Sequence, residues 1–325
     1  MKKLNVLEEV ISVDNGNDRI YVTDGGVYVR DVTLNLGIGD EVMVAHLPDV
    51  HFNYCNLDDY DEGNPVVLST GANRKWLSNG ASIPKLRNCL TIVDDADGHV
   101  FNGDTLDYLS KGAMYLMDKE IWEKVPGAMA TIGGHERAMQ MQGKVSETGT
   151  IEDRYKILEK YWPHDIYYYS KLIKNKVMVV GYCNDRAYIT PEALEKFKAD
   201  LEKCRANGYY MIMFAHEPVA TQNPDHKEYG IDRVLTEGDP SGSPWNFCDG
   251  FILGGSRGDA TSKEFYDILV NSADVIKGMF AGHYHNDMHL EINAKLPDGT
   301  ETVIPQYIST AVAYGEGHVM RILIK

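Results

Sequence analysis

Residues 275–285 read Val275-Ile276-Lys277-Gly278-Met279-Phe280-Ala281-Gly282-His283-Tyr284-His285. A mostly apolar run ends in glycine, and two histidines come after it, one residue apart. Runs this short, bounded by glycine or aspartate, suit buried strands. The pattern occurs four times upstream. Val42-Met43-Val44-Ala45 precedes Asp49-Val50-His51, and His99-Val100-Phe101 precedes Asn102-Gly103-Asp104-Thr105-Leu106-Asp107. Ala128-Met129-Ala130-Thr131-Ile132 precedes Gly133-Gly134-His135-Glu136, and the run Tyr209–Phe214 precedes Ala215-His216-Glu217-Pro218. Short apolar strands that each end in polar chemistry indicate an α/β sheet whose site gathers beyond the carboxyl ends of its strands.

Working outward, one helix is clearly marked. Thr190 can cap it, Pro191 suits its first position and Gly208 can end it. Leu194, Phe197, Leu201 and Cys204 fall at helical spacing and form its apolar face. A second helix is expected from Ser262, with Phe265, Ile268 and Leu269 inward. Residues 166–180 read as a hairpin turning at Lys174-Asn175-Lys176. Near the N-terminus, Val10–Val13, Arg19–Thr23 and Val27–Arg30 are short strands separated by hairpin signals. Residues 1–40 are therefore an accessory β extension, and 41–325 the main domain. Residues 217–258 are rich in Gly, Pro and Asp and read as a long loop, a lid over a site.

The 325 residues suffice for a full core without disulfides or a structural metal. Metal ligands found here need not be staples. The formal net charge of −16 repels polyanions and argues against a nucleic-acid partner. A local positive spot, bound metal included, can still hold a small phosphate ester. The five cysteines stand far apart with no C-x-x-C, as expected of reduced thiols in the cytoplasm. Asn5, Glu8 and Glu9 break the N-terminal apolar stretch, so no signal peptide is expected, and no run is long enough for a membrane helix.

The chemistry lies in the segments just past the strands. Asp49 and His51, two apart on extended backbone, face one way and can grip one cation. Gly103 permits close backbone approach, Asp104 can bridge two metals, and Asp107 lies one helical turn on. Gly133 and Gly134 permit a tight turn that presents His135 at a strand end. His216 stands alone after its strand, and His283 and His285 place two imidazoles on one side. Each motif also has an ordinary structural reading: a capping Asp, a surface His, a Gly-Gly turn. Their conjunction points to a metal site, and mixed imidazole and carboxylate donors suit Mn, Fe or Zn better than Ca or Mg. His46, His99, His164, His226, His289 and His318 lack partner patterns and read as structural or surface residues. The acidic run Asp58, Asp59, Asp61 and Glu62 reads as a solvated loop.

In these residues the chain resembles the calcineurin-like metallophosphoesterase superfamily. That superfamily is known by D-x-H, G-D-x-x-D, G-N-H-[DE], a lone His after a strand and G-H-x-H, in that order. The resemblance spans residues 41–325. It implies an α/β fold, a four-layer α-β-β-α sandwich of two mixed sheets. It implies hydrolysis of a phosphomonoester or phosphodiester by a metal-bridging hydroxide at a dinuclear site of divalent or trivalent transition-metal ions. Asp49, His51 and His285 would hold one ion, His216 and His283 the other, with Asp104 bridging. His135 would act as general acid or charge stabiliser, oriented by Asp107. Two departures stand out. Gly134 replaces a metal-binding Asn, which predicts a weak second site. Tyr108 comes after Asp107 where protein Ser/Thr phosphatases carry Arg, which argues against that substrate class. The alternatives are a pyrophosphate bond, a nuclease, or a metal-binding relative without turnover.

Overall fold

The computed structural model describes residues 4–12, 18–53, 80–137, 150–185, 188–220 and 258–325. The acidic run 58–62, His226, Cys55, Cys248 and positions 221–257 of the expected lid lie outside the described residues. The chain is an α/β fold of two mixed sheets and divides into two compact units, residues 1–165 with 310–325 and residues 166–309.

The first unit holds β1 (Val6–Ser12), β2 (Asp18–Thr23), β3 (Tyr28–Leu34), β4 (Val42–Leu47), β5 (Gly98–Asn102), β6 (Met129–Thr131) and, from the chain's end, β13 (His318–Ile324). They form one sheet in the order β1-β2-β3-β13-β4-β5-β6. Helices α1 (Ile83–Ile92), α2 (Lys111–Met117) and α3 (Ile151–Tyr161) belong to this unit. The strands β4, β5 and β6 run parallel. Their carboxyl ends therefore lie along one edge, and all six residues of β4 are buried. A sheet covered on both faces needs continuous apolar strands, which is why Val42–Leu47 is apolar throughout except for His46.

The strands of the N-terminal extension are continuous with this sheet. β3 pairs in parallel with β13 from Tyr28↔His318 to Leu34↔Ile324. Ion pairs tie β3 to both of its neighbours, β2 through Arg30 and Asp18 and β13 through Asp31 and Arg321. Arg30 Nε donates to Asp18 at 2.8 Å, and Arg321 donates to Asp31 at 2.7 and 2.6 Å and to the Tyr21 hydroxyl at 2.6 Å.

The second unit holds β7 (Tyr168–Ile173), β8 (Val177–Tyr182), β9 (Tyr210–Phe214), β10 (Ile276–Ala281), β11 (Met288–Lys295) and β12 (Glu301–Ile308), with α4 (Pro191–Asn207) and α5 (Ala260–Val270). Its sheet order is β11-β12-β10-β9-β8-β7. The inner strands β8, β9, β10 and β12 run parallel, and β7 and β11 are antiparallel edges. Thr190 caps α4 by accepting from Ala193 N at 3.1 Å, and Gly208 ends it in the left-handed region at φ 67°. Leu194, Phe197, Leu201 and Cys204 are all buried, as their spacing indicates. In α5, Phe265 and Leu269 are buried while Ile268 is half-buried. The hairpin β7–β8 turns at residues 174–176, with Lys174 and Asn175 at φ 47° and 53°. Among the described residues, no helix is long and apolar enough to cross a membrane.

The β7–β8 hairpin carries a tight packing constraint. Gly181 pairs with Tyr169, and a Cβ on Gly181 would fall 2.1 Å from Cζ of that ring. Gly181→Ala must displace a buried aromatic and should cost about 1–3 kcal/mol. Urea unfolding checks this; an unchanged midpoint would contradict the packing.

Candidate metal centre

In the first unit the parallel pairing of β4 and β5 continues past both strands into their loops. Asp49 N donates to Gly103 O at 3.0 Å, His51 N to Asp104 O at 2.9 Å and Phe52 N to Thr105 O at 2.7 Å. Asp107 N returns the pairing to Phe52 O at 3.1 Å. Val50, Phe52 and Leu106 are fully buried and root the loops in the core. The polar residues between them are thereby directed to a common cluster.

The third loop is tied in by Glu136. Its buried carboxylate accepts from Gly133 N at 2.7 Å, Asp104 N at 3.0 Å, Thr105 N at 2.5 Å and Leu106 N at 3.1 Å. Three successive amides make an anion-binding concavity, and Glu136 fills it. His135 N donates to Asp104 Oδ1 at 3.0 Å, locking the two loops a second time.

Five sequence candidates meet in this unit. His51 Nε2 lies 3.8 Å from Asp49 Oδ1, and its Nδ1 lies 3.2 Å from Asp107 Oδ1. His135 Nδ1 faces the Asp107 carbonyl at 3.0 Å and its carboxylate at 3.3 Å. His135 Nε2 is 3.7 Å from Asp104 Oδ2. The two imidazoles meet edge to face with centroids 4.7 Å apart. His51, Asp107 and His135 each offer a donor atom within 4.8 Å of the others. Burial holds the His51 imidazole below its ordinary pKa, favouring the neutral form that a metal requires. Burial pushes the Asp107 carboxyl up, but the adjacent His135 and His51 imidazoles outweigh it and hold Asp107 below the usual carboxylate range. It is ionised at neutral pH.

Two residues of this cluster carried no assigned role in the sequence. Glu136 was visible only as the last letter of a motif. Asn53, itself buried, donates to Asp107 Oδ2 at 2.6 Å and accepts from the buried Tyr108 hydroxyl at 3.3 Å. Tyr108 thus points inward, as part of the brace behind Asp107. Asn53 lies two residues after His51, and nothing in the sequence marks it. At Gly134 the backbone is outside the left-handed region, and an added Cβ would meet nothing nearer than Arg137 Nη2 at 3.8 Å.

In the second unit His216 comes after β9 and is fully buried, while His283 and His285 come after β10 and are half-buried. His283 Nδ1 and His216 Nε2 face each other at 3.3 Å, with the rings edge to face at 5.1 Å. Gly282 N donates to His216 O at 3.1 Å, which joins the two loops.

The backbone sets these residues apart. Seven described residues other than glycine have positive φ. Two form the hairpin tip at 174–175; the other five are Asp49 (56°), His51 (51°), Asp104 (48°), His283 (72°) and His285 (54°). Asp49-Val50-His51 is therefore not the extended segment its spacing suggests. Asp49 and His51 converge because both turn left-handed and are pinned to residues 103–104. Such conformations cost about 1–3 kcal/mol each and persist only where the surroundings over-determine them. The donor set, imidazoles with carboxylates, fits a transition-metal ion.

Neither a family model nor a curated protein matches this sequence. Among solved structures, the chain is similar to the purple acid phosphatase PPD1 of yellow lupin, at 13% identity over 94% of this chain and 48% of that one, with a TM-score of 0.44. It is similar to PhoD at 10% identity over 90% of this chain and 62% of that one, TM-score 0.46, and to a dimetal phosphatase of Danio rerio at 10% identity over 83% and 87%, TM-score 0.40. The chain thus spans about half the length of the lupin protein. At such distances the chemistry must be read from the site itself.

Glu136 supplies the test of this geometry. Glu136→Gln keeps the shape but turns an NH2 group toward backbone donors. Stability of the metal-stripped protein should fall by about 1.5–3 kcal/mol. Equal urea midpoints would show that the four contacts do not hold the loops.

Proposed function

We propose that the chain is a metal-dependent phosphoesterase that hydrolyses a phosphomonoester or phosphodiester. The observation that carries this reading is the left-handed backbone at Asp49, His51, Asp104, His283 and His285. Strain collected on imidazole and carboxylate side chains is what a preformed ion site would need. Asp49, His51 and His285 would hold one ion, His216 and His283 a second, with Asp104 shared. Mn, Fe or Zn suits this set. The bound metal would supply charge neutralisation of the phosphoryl oxygens and activation of water.

The chain's own groups do the rest. The Asp107 carbonyl and carboxylate hold His135 by Nδ1, so the proton there stays in place. Nε2 is then the nitrogen that gives a proton to the leaving oxygen, and the ionised Asp107 carboxylate stabilises the imidazolium form. Asn53 and the buried surroundings keep that carboxylate fixed. The net charge of −16 favours a small ester over a polyanion.

The test uses chelator-stripped protein, chromogenic mono- and diesters, and added Mn, Fe or Zn. Turnover should be absent without metal and return with it. Turnover that survives chelation would overturn the proposal, and metal uptake without turnover on any ester would favour a non-catalytic metal binder.

Two variables probe the histidines separately. His135→Ala should retain metal, measured by elemental analysis, but lose about 10²–10⁴-fold in turnover. Unchanged turnover would reject the role of His135. Turnover should also fall as pH drops into the acid range, because imidazole ligands bind metal only when neutral. Full metal occupancy kept to about pH 3, far below the ordinary imidazole pKa, would contradict histidine ligation.

A further inference from the structure

Asn184 stands just past β8, beyond the carboxyl end that β8 shares with β9 and β10. Gly181 pairs with Phe214, and Phe214 with Phe280. Three residues beyond these positions come Asn184, Glu217 and His283. The Asn184 side chain is fully buried. Its Nδ2 donates to Glu217 O, next to His216, at 2.6 Å. A carbonyl can only accept, so this contact fixes which end of the carboxamide is nitrogen. The other end is oxygen, and Asn184 Oδ1 is buried with no hydrogen-bond donor.

A buried acceptor without a donor costs free energy unless something else occupies it. The groups gathered at this strand edge suggest what that is. His216 Nε2 and His283 Nδ1 face each other at 3.3 Å, in the loops that leave the same strand edge. Two imidazoles alone are too few for a transition metal, which takes about four or more ligands. Carboxamide oxygen is a neutral donor compatible with Mn, Fe or Zn.

We propose that Asn184 Oδ1 is a ligand of the ion that His216 and His283 hold. This rests on the metal-site reading above. A neutral oxygen in place of a carboxylate makes that ion the more weakly bound of the two. The sign of each substitution is then fixed. Removing the oxygen should weaken this ion alone, and adding a charge to it should tighten this ion alone.

The experiment titrates the metal-stripped full chain with Mn²⁺, following unbound Mn²⁺ by its electron paramagnetic resonance, with unfolding curves taken without metal. Asn184→Ala should weaken one bound Mn²⁺ by about 10-fold or more and leave the other unchanged. Asn184→Asp should tighten the same ion. Asn184→Asp also serves if Asn184→Ala does not fold. It keeps the oxygen and loses only the donor to Glu217, so a purely structural Asn184 would lower stability without tightening Mn²⁺, and that result overturns the proposal. His216→Ala separates the two readings. If it removes one ion while both Asn184 variants bind as the parent does, this proposal alone fails. If it too leaves Mn²⁺ binding unchanged, the metal-site reading fails and this proposal with it.

Discussion

Four backbone amides point at one carboxylate, that of Glu136. Without it, three successive N–H groups at 104–106 would be buried and unpaired, and the loop after β5 would have no reason to stay folded against the loop after β6. With it, Asp104 and His135 are held where their side chains converge. The side chain that organises this part of the structure does no chemistry itself. Because Glu136 takes these amides, Asp104 Oδ2 and Asp107 Oδ1 are left to face imidazoles, while Asp104 Oδ1 adds its own link to the loop after β6.

Holding the loops this firmly permits the backbone strain. Asp49 and His51 each adopt a conformation that a β-branched residue would not tolerate, and aspartate and histidine are among the side chains that do so most readily. The residue types that can bind metal are also those that can bear the turn. Buried Phe52 and Leu106 supply the apolar contact that offsets the cost in the first unit. In the second unit the His216–Gly282 hydrogen bond performs the same joining between the loops after β9 and β10. Each unit therefore carries a rigid set of donors on a rigid strand edge.

Much of the strand pattern was legible in the sequence because buried parallel strands must be continuously apolar. Val42–Leu47, Gly98–Asn102, Met129–Thr131, Tyr210–Phe214 and Ile276–Ala281 follow that rule apart from His46, His99, Asn102, Thr131 and Lys277. The helix 191–207 was legible from its cap, its proline and its terminal glycine. The partnership of β3 with β13 was not, since it joins residues some 290 apart and only the ion pair Arg321–Asp31 marks it. The left-handed turns were not legible either, because Asp-x-His on extended and on turned backbone spells the same letters. Glu136 and Asn53 act on backbone and on a carboxylate already assigned elsewhere, so no spacing rule points to them. Asn184 is silent for a different reason: its mark is an oxygen with no donor, and that is a property of the fold.

The strained donors in both units are proposed to hold metal. Crystals grown with Mn²⁺ and measured at an anomalous wavelength test it most directly. Two peaks are expected, one at about 2.0–2.3 Å from Asp49 and His51 donors and one at that distance from His216 and His283. Well-ordered crystals with no anomalous peak at either place, and the same left-handed turns, would contradict it.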